Sequence, residues 1–268
     1  MLRPRIIPCL LVRDGGLVKT VRFADTKYVG DPINAVRIFN EKEADELMVL
    51  DIDATAKQAP PNFRLIAQFA AECRMPLCYG GGVKDAEQAK RIIGLGVEKV
   101  AVSSAALEHP ELISRISGEV GCQSVVVVLD VKRDANSARP YEVWTHNGSR
   151  NTGRAPADVA QQMESLGAGE IVVNSIDNDG MMKGYDLSLA SIIRKAVRIP
   201  MTVLGGAGKV SDMGQLFSTC GVVGAAAGSL FVFKGPYRAV LINYPPPGQK
   251  EELIHSAWQW DSERGRSE

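Results

Sequence analysis

Short apolar runs recur along this chain and alternate with longer stretches of helical spacing. The runs are Arg5–Leu11, Glu46–Ile52, Pro76–Tyr79, Lys99–Ser103, Ser124–Val131, Glu170–Ser175, Pro200–Leu204 and Val222–Ala226. Most are continuously apolar rather than alternating. Strands of a parallel sheet covered by helices on both faces read this way. Helix-start signals lie between them. Asp31-Pro32 pairs an N-cap residue with proline at the first helical position, and Asp85, His109-Pro110, Ala155-Pro156 and Asp186 open further windows. Gly94 and Gly96 close the window that Asp85 opens. Eight strands alternating with helices predict an α/β fold, a (β/α)8 TIM barrel. A doubly wound open sheet is the alternative, but no G-x-G-x-x-G follows the first strand.

An internal repeat sharpens the expectation. Asp45-Glu46-Leu47-Met48-Val49 returns as Gly169-Glu170-Ile171-Val172-Val173, Ile52-Asp53 as Ile176-Asp177, and Gly81-Gly82 as Gly205-Gly206, each 124 residues on. Ser104 returns as Ser229, and Leu10-Leu11-Val12 as Leu129-Asp130-Val131. The barrel is therefore read as two half-barrel repeats; so long a period is not a solenoid. The barrel is expected over residues 1–244. Residues 245–268 are expected as a C-terminal tail holding a short helix or partly disordered, with Pro245-Pro246-Pro247 ending the last barrel helix. Two long loops, Arg13–Gly30 and Lys132–Arg154, fall at the C-terminal face, where barrel active sites lie. Tyr141–Thr145 followed by Asn147-Gly148 reads as a small hairpin inside the second.

Composition narrows the function classes. The 268 residues are 45% hydrophobic and 23% charged, so the chain is globular rather than disordered. Lys+Arg and Asp+Glu both number 31, which removes the basic field of a nucleic-acid binder but leaves room for a local phosphate pocket. No apolar run has the roughly 20 residues a membrane span needs. Met1–Val12 is broken by Pro4 and Pro8 and does not read as a secretory signal. Five cysteines, widely spaced and without C-x-x-C, read as reduced thiols, and the expected compartment is cytoplasmic. His109, His146 and His255 lack ligand spacing, so no metal and no cofactor is expected.

Candidate chemistry gathers at the strand ends. Gly81 and Gly82 with Ser103 and Ser104 would form one phosphate cradle, and Gly205 and Gly206 with Gly228 and Ser229 a second on the opposite rim. The plain alternative is glycine used only for tight turns. Asp130 ends a run of four valines and a leucine and is the acid/base candidate. For Asp53 and Asp177 a loop-fixing role is preferred. The counterpart of Asp130 in the first half is Leu11, which can neither take nor give a proton. Arg5, Glu46, Lys99 and Glu170 begin four strands; two cations and two anions could form a ring of salt bridges, a structural plug or a gate, and pattern alone favours the plug.

These segments together resemble the HisF family, the cyclase subunits of imidazole glycerol phosphate synthase. The resemblance is carried by Arg5-Ile6-Ile7-Pro8-Cys9-Leu10, Gly30-Asp31-Pro32, Asp45-Glu46-Leu47, Gly80-Gly81-Gly82, Val131-Lys132-Arg133, Asn151-Thr152-Gly153, Ser175-Ile176-Asp177, Gly184-Tyr185-Asp186 and Gly205-Gly206-Ala207-Gly208, in order from about Arg5 to Tyr244. It implies a barrel that docks a HisH-like glutaminase on its N-terminal face and passes ammonia through its centre. Arg5, Glu46, Lys99 and Glu170 then match the family's charged gate, the two cradles its grip on a bis-phosphorylated small molecule, and Lys19 a lysine of its mobile first loop. The family uses two aspartates, and only Asp130 is present, since Leu11 stands at the other. Asn174 and Leu204 replace a usual threonine and serine. This pattern is similar to a HisF-like branch found with surface-polysaccharide genes. That branch implies a glutaminase partner, an ATP-dependent sugar amidotransferase, and conversion of an acetamido to an acetamidino group on a sugar of lipopolysaccharide. A histidine-pathway cyclase and a structural partner without ammonia transfer are the competing readings. Leu11 weighs on them only if it faces the pocket, because a one-residue slip would turn it to the helices.

Overall fold

The computed structural model describes residues 3–134 and 139–264. Eight parallel strands close on themselves: β1 (Arg5–Arg13), β2 (Leu47–Asp51), β3 (Leu77–Gly80), β4 (Lys99–Val102), β5 (Val125–Arg133), β6 (Glu170–Ser175), β7 (Met201–Leu204) and β8 (Gly224–Ala227). Each pairs in parallel with the next, and β8 returns to β1 with Arg5 opposite Gly224. Around them run α1 (Pro32–Glu41), α2 (Phe63–Glu72), α3 (Ala86–Gly94), α4 (Glu111–Val120), α5 (Pro156–Ser165), α6 (Leu187–Ala196), α7 (Val210–Cys220) and α8 (Pro247–Arg264). The fold is a (β/α)8 barrel, with strand bounds within about two residues of those read from the apolar runs.

Local chemistry sets the helix starts. The Asp31 carboxylate accepts from Asn34 N at 2.8 Å, that of Asp85 from Gln88 N at 2.7 Å, and that of Asp186 from Leu189 N at 3.0 Å. Strand alternation then divides the core in two. Along β1, Ile6, Leu10 and Val12 join the large layer under the helices, while Ile7, Cys9 and Leu11 face the barrel axis with Met48, Cys78, Val126 and Val172. Leu11 therefore points inward.

Three regions differ from expectation. The segment Arg13–Gly30 is not an open loop. Strands Gly16–Val21 and Ala24–Gly30 form a hairpin that continues from β1. Arg22 and Phe23 at its turn have φ of 53° and 62°, a left-handed pair that neither residue type advertises. Second, no barrel helix precedes the three prolines; a short helix Ser229–Val232 and a ribbon of Phe233–Lys234 with Ala239–Val240 stand there. Third, the helix expected beyond Tyr244 is longer than a short one: α8 has 18 residues, with Leu253 and Ile254 buried. Gly214 on α7 leaves space for Leu253, whose Cδ2 would lie 3.0 Å from a Cβ at that position. The Tyr244 hydroxyl donates to Ile6 O at 2.9 Å, and Lys250 pairs with Asp45 at 2.9 Å, so the segment around the prolines is tied to the base of β1. The hairpin in the second loop is present, with Tyr141–Thr145 pairing both β5 and Arg150–Asn151.

Candidate functional site

The two ends of the barrel carry different chemistry. At the N-terminal end Arg5, Glu46, Lys99 and Glu170 meet in one ring. Arg5 bonds Glu46 and reaches Glu170 at 2.7 Å, while Lys99 donates to Glu46 at 2.8 Å and to Glu170 at 2.9 Å. The Thr202 hydroxyl adds a 2.6 Å bond to Glu170. Both carboxylates are buried, whereas the Arg5 and Lys99 side chains keep 25% and 19% of their surface in solvent. Burial by itself would lower Arg5 and Lys99, but the two glutamates outweigh it and raise both. Burial would likewise raise Glu170, yet Arg5 and Lys99 hold it well below the usual carboxylate range. Gly224 completes the ring by absence, since a Cβ there would stand 2.0 Å from Thr202 Oγ1.

Above the ring the axis is apolar: Ile7, Met48, Cys78, Val126, Val172 and Ala226 fill it. It opens at the C-terminal end into a cavity of about 720 Å³. Asp130, Leu11, Lys19, Gly81, Gly82, Ser103, Ser104, Gly205, Gly206, Gly228 and Ser229 all line this cavity, together with Asn174 and Leu204. The glycines are held where a side chain would not fit: a Cβ on Gly81 would meet Asp51 O at 2.6 Å, and one on Gly206 would meet Gly184 O at 2.1 Å. Their φ values of 129° and 112° are also closed to most residues. Close packing thus accounts for the glycines, and it leaves their backbone facing the cavity. Ser104 is already engaged, because its hydroxyl accepts from His146 N at 3.1 Å.

Asp130 sits at the inner end of this cavity. Asn174 Nδ2 donates to its Oδ1 at 2.9 Å, and Ser103 Oγ approaches Oδ2 at 3.5 Å. Burial pushes the Asp130 carboxyl up to about 7; the bonds from Asn174 and Ser103 oppose the shift and the charge of Asp179 adds to it. Such a carboxyl can exchange a proton near neutrality. Lys19 is buried on the first hairpin rather than carried on an open loop, with Nζ bonded to Cys9 O at 2.6 Å. Burial lowers its pKa, against the raising effects of Cys9 and Asp179. Leu11 lies opposite Leu50 in the β1–β2 ladder, the place that Asp130 and Asn174 take in the β5–β6 ladder.

The other aspartates fix loops. Asp53 pairs with Arg13 and Lys57, Asp177 accepts from Arg133 N at 2.7 Å, and Asp179 accepts from Thr20 and Phe23 N. Sequence reading set His109 and His146 aside for lack of ligand spacing, gave Asn147 only a turn and did not single out Arg150, yet all four line the cavity. Three of them ride on the second hairpin, whose Asn147-Gly148 was the available signal. The hairpins cross between halves: Arg22 N on the first donates to Asp179 O, and Asn147 Nδ2 on the second donates to Ile52 O. Among the described residues, no group of three or more His, Cys, Asp and Glu side chains is placed to hold a metal ion, and no helix is long and apolar enough to cross a membrane.

Comparison with known proteins agrees with this geometry. Residues 5–237 match the His_biosynth family, described as "Histidine biosynthesis protein". The chain is 56% identical over 254 residues to the "Putative imidazole glycerol phosphate synthase subunit HisF" of Leptospira borgpetersenii, covering 95% of this chain and all of that one. It is 52% identical over 245 residues to the similarly named hisF2 subunit of Pseudomonas aeruginosa, covering 91% and 97%. Against the "Imidazole glycerol phosphate synthase subunit HisF" of Lactococcus lactis the identity is 41% over 231 residues, covering 86% and 89%. With likeness at this level running through nearly the whole barrel, the chain belongs to the HisF family.

Proposed function

We propose that this chain is the ammonia-receiving barrel of a glutamine-dependent complex and that its ring-closing site has been altered. A HisH-like glutaminase docks at the end closed by Arg5, Glu46, Lys99 and Glu170. Those side chains part to admit ammonia, which crosses the apolar axis to the mouth. An ATP-dependent sugar amidotransferase takes it there and converts an acetamido to an acetamidino group on a nucleotide-linked sugar for lipopolysaccharide.

One observation carries the reading: Leu11 faces into the mouth where a second acid/base group would have to stand. General acid or base catalysis contributes about 10²–10⁴-fold, and a hydrocarbon contributes none. Asn174 and Leu204, at neighbouring ladder positions, change the same floor. The fall in identity from 56% and 52% to 41% across the relatives named above fits a separate branch.

A second reading, a cyclase of histidine biosynthesis, is favoured by Asp130 with its near-neutral carboxyl and by the two glycine and serine rims that would hold a bis-phosphorylated substrate. Excess ammonium salt with the phosphoribulosyl formimino carboxamide substrate separates the two, because ammonium removes the need for a glutaminase. The expected result is no turnover by a folded chain that still binds and activates a HisH-like glutaminase. Turnover near that of an ordinary cyclase would establish the second reading instead.

A further inference from the structure

The ribbon between β8 and α8 lies outside the barrel's strands and helices. Its strands, Phe233–Lys234 and Ala239–Val240, turn through Gly235 and Arg238, whose φ values are 73° and 49°. Every residue from Lys234 to Leu241 is exposed. Five large hydrophobic side chains are exposed among the described residues, and three of them, Tyr237, Val240 and Leu241, stand here. Tyr237 keeps 94% of its surface in solvent. Apolar side chains gathered on an exposed element mark a contact surface, since they add nothing to the core.

The ribbon is held at its root. Phe233 is buried, Leu241 N donates to Val232 O at 2.9 Å, and Asn243 N donates to Phe231 O at 2.9 Å. The Lys27 ammonium of the first hairpin lies 5.2 Å from the centre of the Phe233 ring. An apolar tip on a fixed root loses little freedom when a partner covers it.

What covers it follows from where it stands. Arg238 Nη2 reaches Gly180 O at 3.5 Å, and Gly180 lines the mouth. The ribbon therefore rises beside the opening, at the other end of the barrel from the charged ring. Charge narrows the partner further. Phe233–Leu241 carries Lys234 and Arg238 and no carboxylate, and Lys27 lies against its root, so the ribbon suits an acidic surface. The family match ends at Tyr237, in the turn. The matches of 254 and 245 residues with the Leptospira borgpetersenii and Pseudomonas aeruginosa chains must include the whole ribbon wherever they begin in 268 residues. The ribbon is thus shared with the relatives that support a separate branch.

We propose that this ribbon docks the enzyme that consumes the ammonia, an ATP-dependent amidotransferase offering an apolar groove rimmed by carboxylates. The inference rests on the conduit reading and says where the consumer sits. Tyr237 and Leu241 enter the groove, the three cations meet its rim, and the bound enzyme lies over the mouth.

The test uses this chain bound to its HisH-like glutaminase. Binding of the purified sugar amidotransferase of the same organism is measured by titration calorimetry. Tyr237→Ser should weaken it about tenfold or more, as loss of an aromatic interface anchor does. Leu241→Ser and Lys234→Glu should weaken it less, and added salt should weaken it in the wild type. All three side chains are exposed, so thermal midpoints and glutaminase activation should stay at wild-type values. A photo-crosslinking benzoylphenylalanine at position 237 gives an independent reading in cells, where the adduct should contain the amidotransferase. Wild-type affinity in Tyr237→Ser, or adducts only with the glutaminase or a second copy of this chain, would overturn the docking site. Ribbon-dependent binding to vesicles of phosphatidylglycerol and phosphatidylethanolamine, with none to the amidotransferase, would overturn it too. An amidotransferase that binds wild type and variants alike leaves the conduit its consumer and removes this site. One that binds neither, while the chain still activates a glutaminase, removes the site and the proposed consumer together.

Discussion

Strands β1 and β5 leave the barrel at equivalent places in its two halves and end in opposite chemistry. In the first half Leu11 sits beside Leu50; in the second Asp130 sits beside Asn174. Below them the halves differ again, since Thr202 supports Glu170 while its counterpart 124 residues earlier is Cys78. At this rung the first half gives the mouth a hydrocarbon pair and the second a hydrogen-bonded one. One backbone plan therefore tolerates a polar or an apolar pair at the same rung, because the strands on either side set the rung's geometry.

The largest expected effect comes from the ring. Glu170→Ala takes from Arg5 and Lys99 one of their two carboxylate partners and from Thr202 its acceptor, leaving two cations on one carboxylate, and should cost about 3–5 kcal/mol. Partial solvent contact of the two cations places it near the lower end. Glu46→Ala should cost about 1 kcal/mol less, because no threonine is orphaned. Chemical denaturation of both variants checks this, and equal losses would mean that Thr202 contributes nothing. The Glu170 carboxyl is depressed in the folded state, so its contribution is complete above the unfolded carboxylate range and is lost as pH falls through the folded value.

Asp130 should show the opposite slope. Its folded carboxyl lies at about 7, above the unfolded value of 3.8. The unfolded chain releases this proton first, so stability falls as pH rises from about 4 to 7, by on the order of 4 kcal/mol. Asp130→Leu, which copies the first half, should remove that component. Subtracting its stability curve from that of the wild type over pH 4–8 isolates the component, and a flat difference refutes the shift.

Leu11→Asp copies the second half into the first. A carboxyl against Leu50 has no partner like Asn174 and should cost about 1–3 kcal/mol. It should not create ammonium-dependent cyclisation by itself, because Asn174 and Leu204 remain. Turnover in this variant would assign the whole loss of chemistry to one residue.

The smallest effect is at the helix starts. Asp31 caps α1, and 124 residues later Ala155 precedes α5 with no side-chain cap. Asp31→Ala should cost about 1 kcal/mol, and Ala155→Asp should gain a similar amount. Melting temperatures of the two variants should move in opposite directions.

Much of this was readable in advance for identifiable reasons. A strand buried on both faces must be apolar throughout, so eight runs announced eight strands. Fused halves preserve spacing, so the interval of 124 residues paired Glu46 with Glu170 and Gly81 with Gly205. Aspartate before proline marks a helix start whatever surrounds it. The first hairpin escaped notice because Arg22 and Phe23 are not turn residues, and α8 was expected only as a short helix because its packing against α7 follows from a distant glycine, Gly214.

The sequence by itself therefore determined the elements, their order, their two-fold repetition and the charges at the strand ends, since each depends on neighbours in the chain. Closure decided the rest. Whether Leu11 faced the mouth depended on register, and register comes from β2 and β8 holding β1 between them. Arg5 and Glu170 are 165 residues apart and touch only because the eighth strand returns to the first. The ribbon's place beside the mouth has the same origin: Arg238 and Gly180 are 58 residues apart, and they meet only once the strands between them are seated in the barrel.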